Sequence, residues 1–193
     1  MKLYLIRHGQ TTANLAMVFS GQHDFMLTDL GREQAKSIRP ILEKIPFDRV
    51  YSSDLTRAVE TQQLALPNAR DVIRTSAVRE VDVGHIAGLP YQEVAERYGT
   101  SYRRNRDYAA FGGENPQMMD ARIQGFLDEI KDLDCERIAV FAHNGVLSSV
   151  LRLVVEAEIN RSAVTSDNCA IHIFEYKNGK WRLLAWNYMK EIL

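Results

Sequence analysis

The sequence predicts an α/β fold: a three-layer α/β/α sandwich with a mainly parallel central sheet and a C-terminal β-hairpin. Two observations carry this prediction. Short apolar runs that read as buried strands alternate with helical patterns along most of the chain, the order that builds a parallel sheet. Near the C-terminus, "CAIHIFEY" and "WRLLAWNY" flank "KNGK", in which Asn178-Gly179 is a two-residue turn signal. No internal repeat, low-complexity segment or linker divides the sequence, so one domain is expected over residues 1–193.

Taken in order, residues 3–6 form the first buried strand. Residues 28–45 read as a helix, with Thr28 as N-cap and Leu30, Ile38, Ile41, Leu42 and Ile45 at helical spacing. Pro40 lies within it and predicts a kink or break. A brief strand over 49–52 leads into an amphipathic helix over 54–66, which Pro67 and Asn68 close. Residues 71–74 make a third, edge-like strand. The stretch 78–115 is less regular, interrupted by Gly84, Gly88, Pro90, Gly99 and Gly112-Gly113, with one helix across 91–98. Pro116 opens a helix reaching about 132. "RIAVFA", Arg137–Ala142, is the clearest strand; it runs into His143, Asn144 and Gly145, then into an apolar helix over 146–156.

Composition narrows the function classes. A hydrophobic fraction of 46% and a charged fraction of 25% are ordinary for a soluble globular protein. A net charge of -1 and a pI near 6.5 give no global reason to expect nucleic acid or an anionic membrane as partner. Anion binding must therefore come from a local group of arginines. The apolar run at the N-terminus is too short for a secretory signal before Arg7 interrupts it, and no segment has the apolar length of a membrane span. Cys135 and Cys169 are far apart and form no CxxC pattern, so neither a disulfide framework nor a zinc knuckle is expected. The expected setting is the reduced cytoplasm.

The chemistry-bearing residues gather at element ends. His8 follows the first strand and His143 follows "RIAVFA". Ligands of open α/β sheets bind at the carboxyl ends of the strands, and His143 leads into a helix whose N-terminus suits a phosphate. Arg7 and Arg57, the latter just beyond the strand over 49–52, add guanidinium groups that fork onto phosphate oxygens. Two Arg and two His around one point predict an anion between them. A neutral imidazole there can attack phosphorus, the cations stabilise the equatorial oxygens, and a carboxylic acid must protonate the leaving alkoxide. Glu80 is the best-placed acid, with Glu114 and Asp82 as weaker candidates. Taken singly, each residue also has a plain reading: a strand-end cap for His8 or His143, a solvated helix face for Arg57, a loop ion pair for Glu80. Only their joint placement favours a site.

Competing chemistries leave no trace. There is no GxxxxGK[ST] loop, no Cys with an Arg six positions on, no G-x-S-x-G, and no His/Asp/Glu cluster with metal-ligand spacing. "DLDCE" precedes its strand rather than following it, which disqualifies it as an aspartyl-nucleophile motif. His23, His85 and His172 read as structural, and Ser148-Ser149 as close helix packing.

The motifs "LIRHGQT" with Asn14, "LTDLGREQA", "VYSSDLTRAVET", "VREVDVGHIAG", "GGEN" and "VFAHNGV" resemble, in order, those of the histidine phosphatase superfamily, the phosphoglycerate mutase-like proteins. The resemblance implies His8 as nucleophile, Arg7, Arg57 and His143 as phosphoryl ligands, Asn14 as a hydrogen-bond donor to the phosphoryl group, and Glu80 as proton donor and then base. It also implies that Ser20 and Gly21 touch substrate and that the Asn144 N–H lies near the phosphate. The family pattern departs at Asn144-Gly145, where many phosphatases carry Gly-Gly, and at Ile86 and Ala87, where an aromatic and an acidic residue are common. The short chain and "GGEN" resemble the phosphatase branch. "SYRRNRDY" places Arg103, Arg104 and Arg106 downstream of Glu80, either as a grip on a second acidic group or as a solvated face. The expectation is a metal-free, cofactor-free phosphomonoesterase acting on a small phosphorylated metabolite and releasing inorganic phosphate, with phosphoglycerate mutase as the alternative and a phosphate-binding module as a third reading. Neither nucleic acid nor membrane is expected as a partner, and a homodimer is left open.

Overall fold

A computed structural model describes residues 1–102, 106–156 and 164–188. Its strands are β1 (Lys2–Arg7), β2 (Arg49–Ser53), β3 (Ile73–Thr75), β4 (Arg137–Ala142), β5 (Ile171–Lys177) and β6 (Lys180–Tyr188). The helices are α1 (Thr12–Ala16), α2 (Asp29–Ser37), α3 (Arg39–Leu42), α4 (Thr56–Ala65), α5 (Tyr91–Tyr98), α6 (Pro116–Lys131) and α7 (Asn144–Val155), with single 3₁₀ turns at Ser76–Val78, Gly84–Ile86 and Ala109–Phe111.

The strands form one sheet in the order β3-β2-β4-β1-β5-β6. The first four in that order are parallel, and the β5–β6 hairpin joins antiparallel beside β1. Helices cover both faces, as the three-layer prediction requires. Leu3 and Leu5 of β1, with Ile138 and Val140 of β4, face a core built by α6 and α7. Tyr4 and Ile6, with Ala139 and Phe141, face a second core built by α2, α3 and α4. Burial on both faces explains why these strands are apolar at consecutive positions rather than alternating. The buried Ser149 hydroxyl donates to Asp120 Oδ1 at 2.5 Å, and Arg152 Nε reaches Oδ2 at 2.8 Å, which pins α7 to α6 and fits the close-packing reading for Ser149, whereas Ser148 Oγ donates to Asn144 O within α7.

The break expected at Pro40 is present: the helical pattern over 28–45 forms two helices meeting at Ile38, with Pro40 near the start of the second, where its missing N–H costs nothing. Leu30 is 54% exposed, so the apolar stripe begins later than its spacing implied. The polar stretch after His8 contains α1, opened by a capping box in which Thr11 and Asn14 bond each other's backbone N–H groups.

Candidate active site

The carboxyl ends of β1, β4 and β2 lie level, with Arg7 opposite Ala142 and Ser52 opposite Phe141. Beyond β1 the chain runs to α2 on one face; beyond β4 it enters α7 on the other. A crevice therefore opens between these two adjacent strand ends. His8 and His143 are the first residues past them, both buried, with ring centroids 5.1 Å apart and planes inclined at 57°.

His8 Nδ1 lies 2.7 Å from the Gly9 carbonyl oxygen. A carbonyl only accepts, so Nδ1 carries the hydrogen and Nε2 keeps its lone pair. Burial, then the charges of Arg57 and Arg7, push this imidazole well below its ordinary range, outweighing the opposing effect of the Gly9 bond. His143 is depressed in the same way, by burial first and then by Arg57, His8, Arg122 and Arg7. Two neutral rings thus stand side by side among cations.

Arg57, on the first turn of α4, is fully buried and donates 2.8 Å bonds to the carbonyls of His23 and Gly21. Arg7 Nη1 donates to the Ser166 carbonyl. Among the described residues, Nε of Arg7, Nε of Arg57 and both ring nitrogens of His143 are buried without a hydrogen-bond partner. Unpaired buried polar atoms are rare in native proteins, and these surround one imidazole.

Above them lies a cavity of about 530 Å³ walled by Arg7, His8, Asn14, Ser20, Gly21 and Glu80, with Phe19, Val81, Val83, Tyr91, Arg106, Tyr108 and Asn144 also among the described residues that line it. Asn14 Oδ1 accepts from Thr11 N at 3.0 Å, which leaves its amide NH₂ as the remaining polar group. Glu80 Oε1 accepts from Gly145 N at 2.9 Å and Val81 N at 2.9 Å; Oε2 is 3.3 Å from Gly145 N. The carboxylate thus docks on the N-terminus of the 12-residue α7. A Cβ at Gly145 would lie 1.9 Å from Glu80 Oε1, so a side chain there would displace the carboxyl. Among the described residues, no three His, Cys, Asp or Glu side chains gather to hold a metal ion.

The pattern of residues 3–189 matches the model for the histidine phosphatase superfamily (branch 1). The chain belongs to this superfamily. It is 32% identical over 159 residues to the adenosylcobalamin/alpha-ribazole phosphatase of Salmonella typhimurium, covering 78% of each chain. It is 33% identical over 181 residues to the 2,3-bisphosphoglycerate-dependent phosphoglycerate mutase of Allorhizobium ampelinum, covering 87% of this chain and 85% of that one. A mycobacterial glucosyl-3-phosphoglycerate phosphatase, solved in complex with VO3, superposes with a TM-score of 0.87 at 26% identity over 97% of this chain and 98% of that one.

Within this histidine phosphatase superfamily chain, Arg7, His8, Asn14, Ser20, Gly21, Glu80 and Asn144 line the cavity. Arg57 and His143 do not line it; both are fully buried. Arg103 and Arg104 lie outside the described residues, whereas Arg106 lines the cavity with its backbone at φ 50°. Glu114 and Asp82, the weaker acid candidates, do not line the cavity. Glu114 pairs with Arg122, and Asp82 Oδ1 accepts from Gly84 N at 2.8 Å. Phe19 and Tyr108 went unpredicted because they sit on irregular segments, where no periodicity marks an inward face, and Tyr91 because it only opens α5. His172 is structural as expected: Asn187 N donates to Nδ1 at 3.2 Å and Nε2 lies 3.0 Å from Ser166 Oγ.

Proposed function

We propose that the protein hydrolyses a phosphomonoester of a small metabolite through a phosphohistidine on His8. The observation that carries this reading is the His8 tautomer: Gly9 takes the Nδ1 hydrogen, leaving Nε2 as a buried, neutral nucleophile between Arg7 and Arg57. Nε2 attacks phosphorus, the ester P–O bond breaks, and Glu80 gives its proton to the departing alkoxide. Water then attacks the phosphohistidine while the Glu80 carboxylate takes its proton; the P–N bond breaks, releasing inorganic phosphate and restoring neutral His8. Arg7, Arg57, His143, the Asn14 amide and the Asn144 N–H at the start of α7 stabilise the phosphoryl oxygens. Ser20 and Gly21 flank the ester.

Arg106 favours a substrate with a second anionic group, since it adds a further guanidinium to a cavity that Arg7 already lines. The names of the relatives support both hydrolysis and phosphoryl transfer, and the chemistry on His8 serves either. A panel of phosphate esters decides the outcome. Hydrolysis predicts release of inorganic phosphate and an acid-labile phosphoenzyme that is lost in His8→Ala. Migration between glycerate hydroxyls without net release would instead establish a mutase, and binding without turnover would overturn both.

A further inference from the structure

We infer that Arg122 and Glu114 form a clamp that positions Glu80; this rests on the acid–base reading above. Neither residue lines the cavity. Arg122, on α6, spends its guanidinium on one small region. Nε donates to Glu114 Oε1 at 2.9 Å and Nη2 to Oε2 at 2.8 Å, a bidentate pair. Nη1 donates at 3.0 Å to the carbonyls of both Ala77 and Arg79. Glu114 Oε2 also accepts from Asp82 N at 2.9 Å, and Glu114 N donates to Asp82 O at 2.9 Å. The backbone is thus gripped at the residue before Glu80 and again two residues after it.

Other contacts leave little slack. Arg79 forks onto Asp54 with two 2.7 Å bonds, and Gln22 Nε2 lies 3.2 Å from Glu80 O. A Cβ at Gly113 would sit 2.4 Å from Asp82 O, and one at Gly84 would sit 1.9 Å from Phe111 O, so the segments carrying Glu80 and Glu114 touch backbone to backbone. The Arg122–Glu114 side chains are only 21% and 14% exposed. Partly buried pairs contribute little net stability but strong geometry, which is what a carboxyl that must meet a departing oxygen requires. Three residues of the "GGEN" motif are accounted for: Gly112 takes φ 77°, Gly113 permits the approach and Glu114 completes the clamp.

The test compares an alkyl phosphate, whose poor leaving group needs protonation, with p-nitrophenyl phosphate, which does not. Arg122→Lys keeps the charge and loses the fork. It should lower kcat/KM, which reports phosphoenzyme formation and not the later water attack common to both esters, about tenfold or more on the alkyl ester while changing it less than about threefold on the aryl ester. Glu114→Gln should show the same selectivity, and it decides the matter if Arg122→Lys does not fold. Equal losses on the two esters, or a lower Tm with an unchanged rate ratio, would overturn the clamp. Glu80→Gln separates the two levels. Selective loss there without it in the clamp variants refutes the clamp alone; equal loss there refutes the acid–base reading and the clamp with it.

Discussion

At the scale of single residues, His8 is made a base by where it stands. Burial and two guanidinium groups disfavour its proton, so it is neutral well below the ordinary imidazole range near 6.5. The burst of phosphoenzyme formation from an aryl phosphate should therefore stay flat as pH falls from about 7.5 to about 6, and decline only at more acid values. A decline centred near 6.5 in stopped-flow measurements would contradict this. Gly145→Ala tests the dock of Glu80. The clash at 1.9 Å is with the end of a flexible side chain, so Tm should change little, yet kcat on alkyl esters should fall roughly ten- to hundredfold. His8, His143 and Glu80 were legible because they follow strands or strand candidates. Arg57 was harder to read, since its helix position suggests a solvated face, and only the carbonyls of Gly21 and His23 explain its complete burial. Arg106 was ambiguous among its neighbouring arginines, because a loop carries no repeating face.

At the scale of elements, α2 is seated on the turn that follows His8. Thr28 Oγ caps Gly31 N at 3.0 Å, Thr28 N donates to Gln10 O at 2.9 Å, and Gln34 Oε1 accepts from Gln10 N at 2.9 Å. A Cβ on Gly31 would lie 2.0 Å from Gln10 O, and one on Gly9 would lie 2.4 Å from Gly31 O. Alanine ordinarily stabilises a helix interior by about 1 kcal/mol over glycine. Gly31→Ala should reverse that sign and lower stability, because two backbones must separate. Gly125→Ala on α6 meets nothing within 4 Å and should stabilise by about 1 kcal/mol. Urea melts of the pair check both signs, and a stabilising Gly31→Ala would contradict the seating. The alternation of strands and helices was readable from hydrophobic spacing, and the break at Pro40 from its ring. The tight seat at Gly31 was not, since a glycine inside a helical pattern does not announce which backbone approaches it.

At the scale of the whole molecule, three fully or almost fully buried imidazoles, His8, His143 and His172, share a depressed pKa, the last at about 3. Unfolding returns each to an ordinary value near 6.5, so below that pH the unfolded chain binds more protons than the fold does. Stability is full above about pH 6.5 and is lost as pH falls beneath it, by up to about 1.4 kcal/mol per pH unit for each imidazole. Thermal melts should show Tm dropping between about pH 6.5 and 5, before most carboxylates titrate. A flat Tm across that interval would refute it.

The sheet order has a consequence for how the molecule comes into being. β1 is made first, yet its neighbours are β4 and β5, and Arg7 is held by the carbonyl of Ser166. Contacts this distant in sequence close slowly, and synthesis proceeds at about 5–20 residues per second. The strand that carries His8 at its end must therefore wait, on the order of ten seconds on a ribosome, until β4 and β5 have been synthesised. A chain synthesised only as far as α4 carries His8 without His143 or the strands that flank β1, so the cluster around His8 forms only after β4 and β5 do.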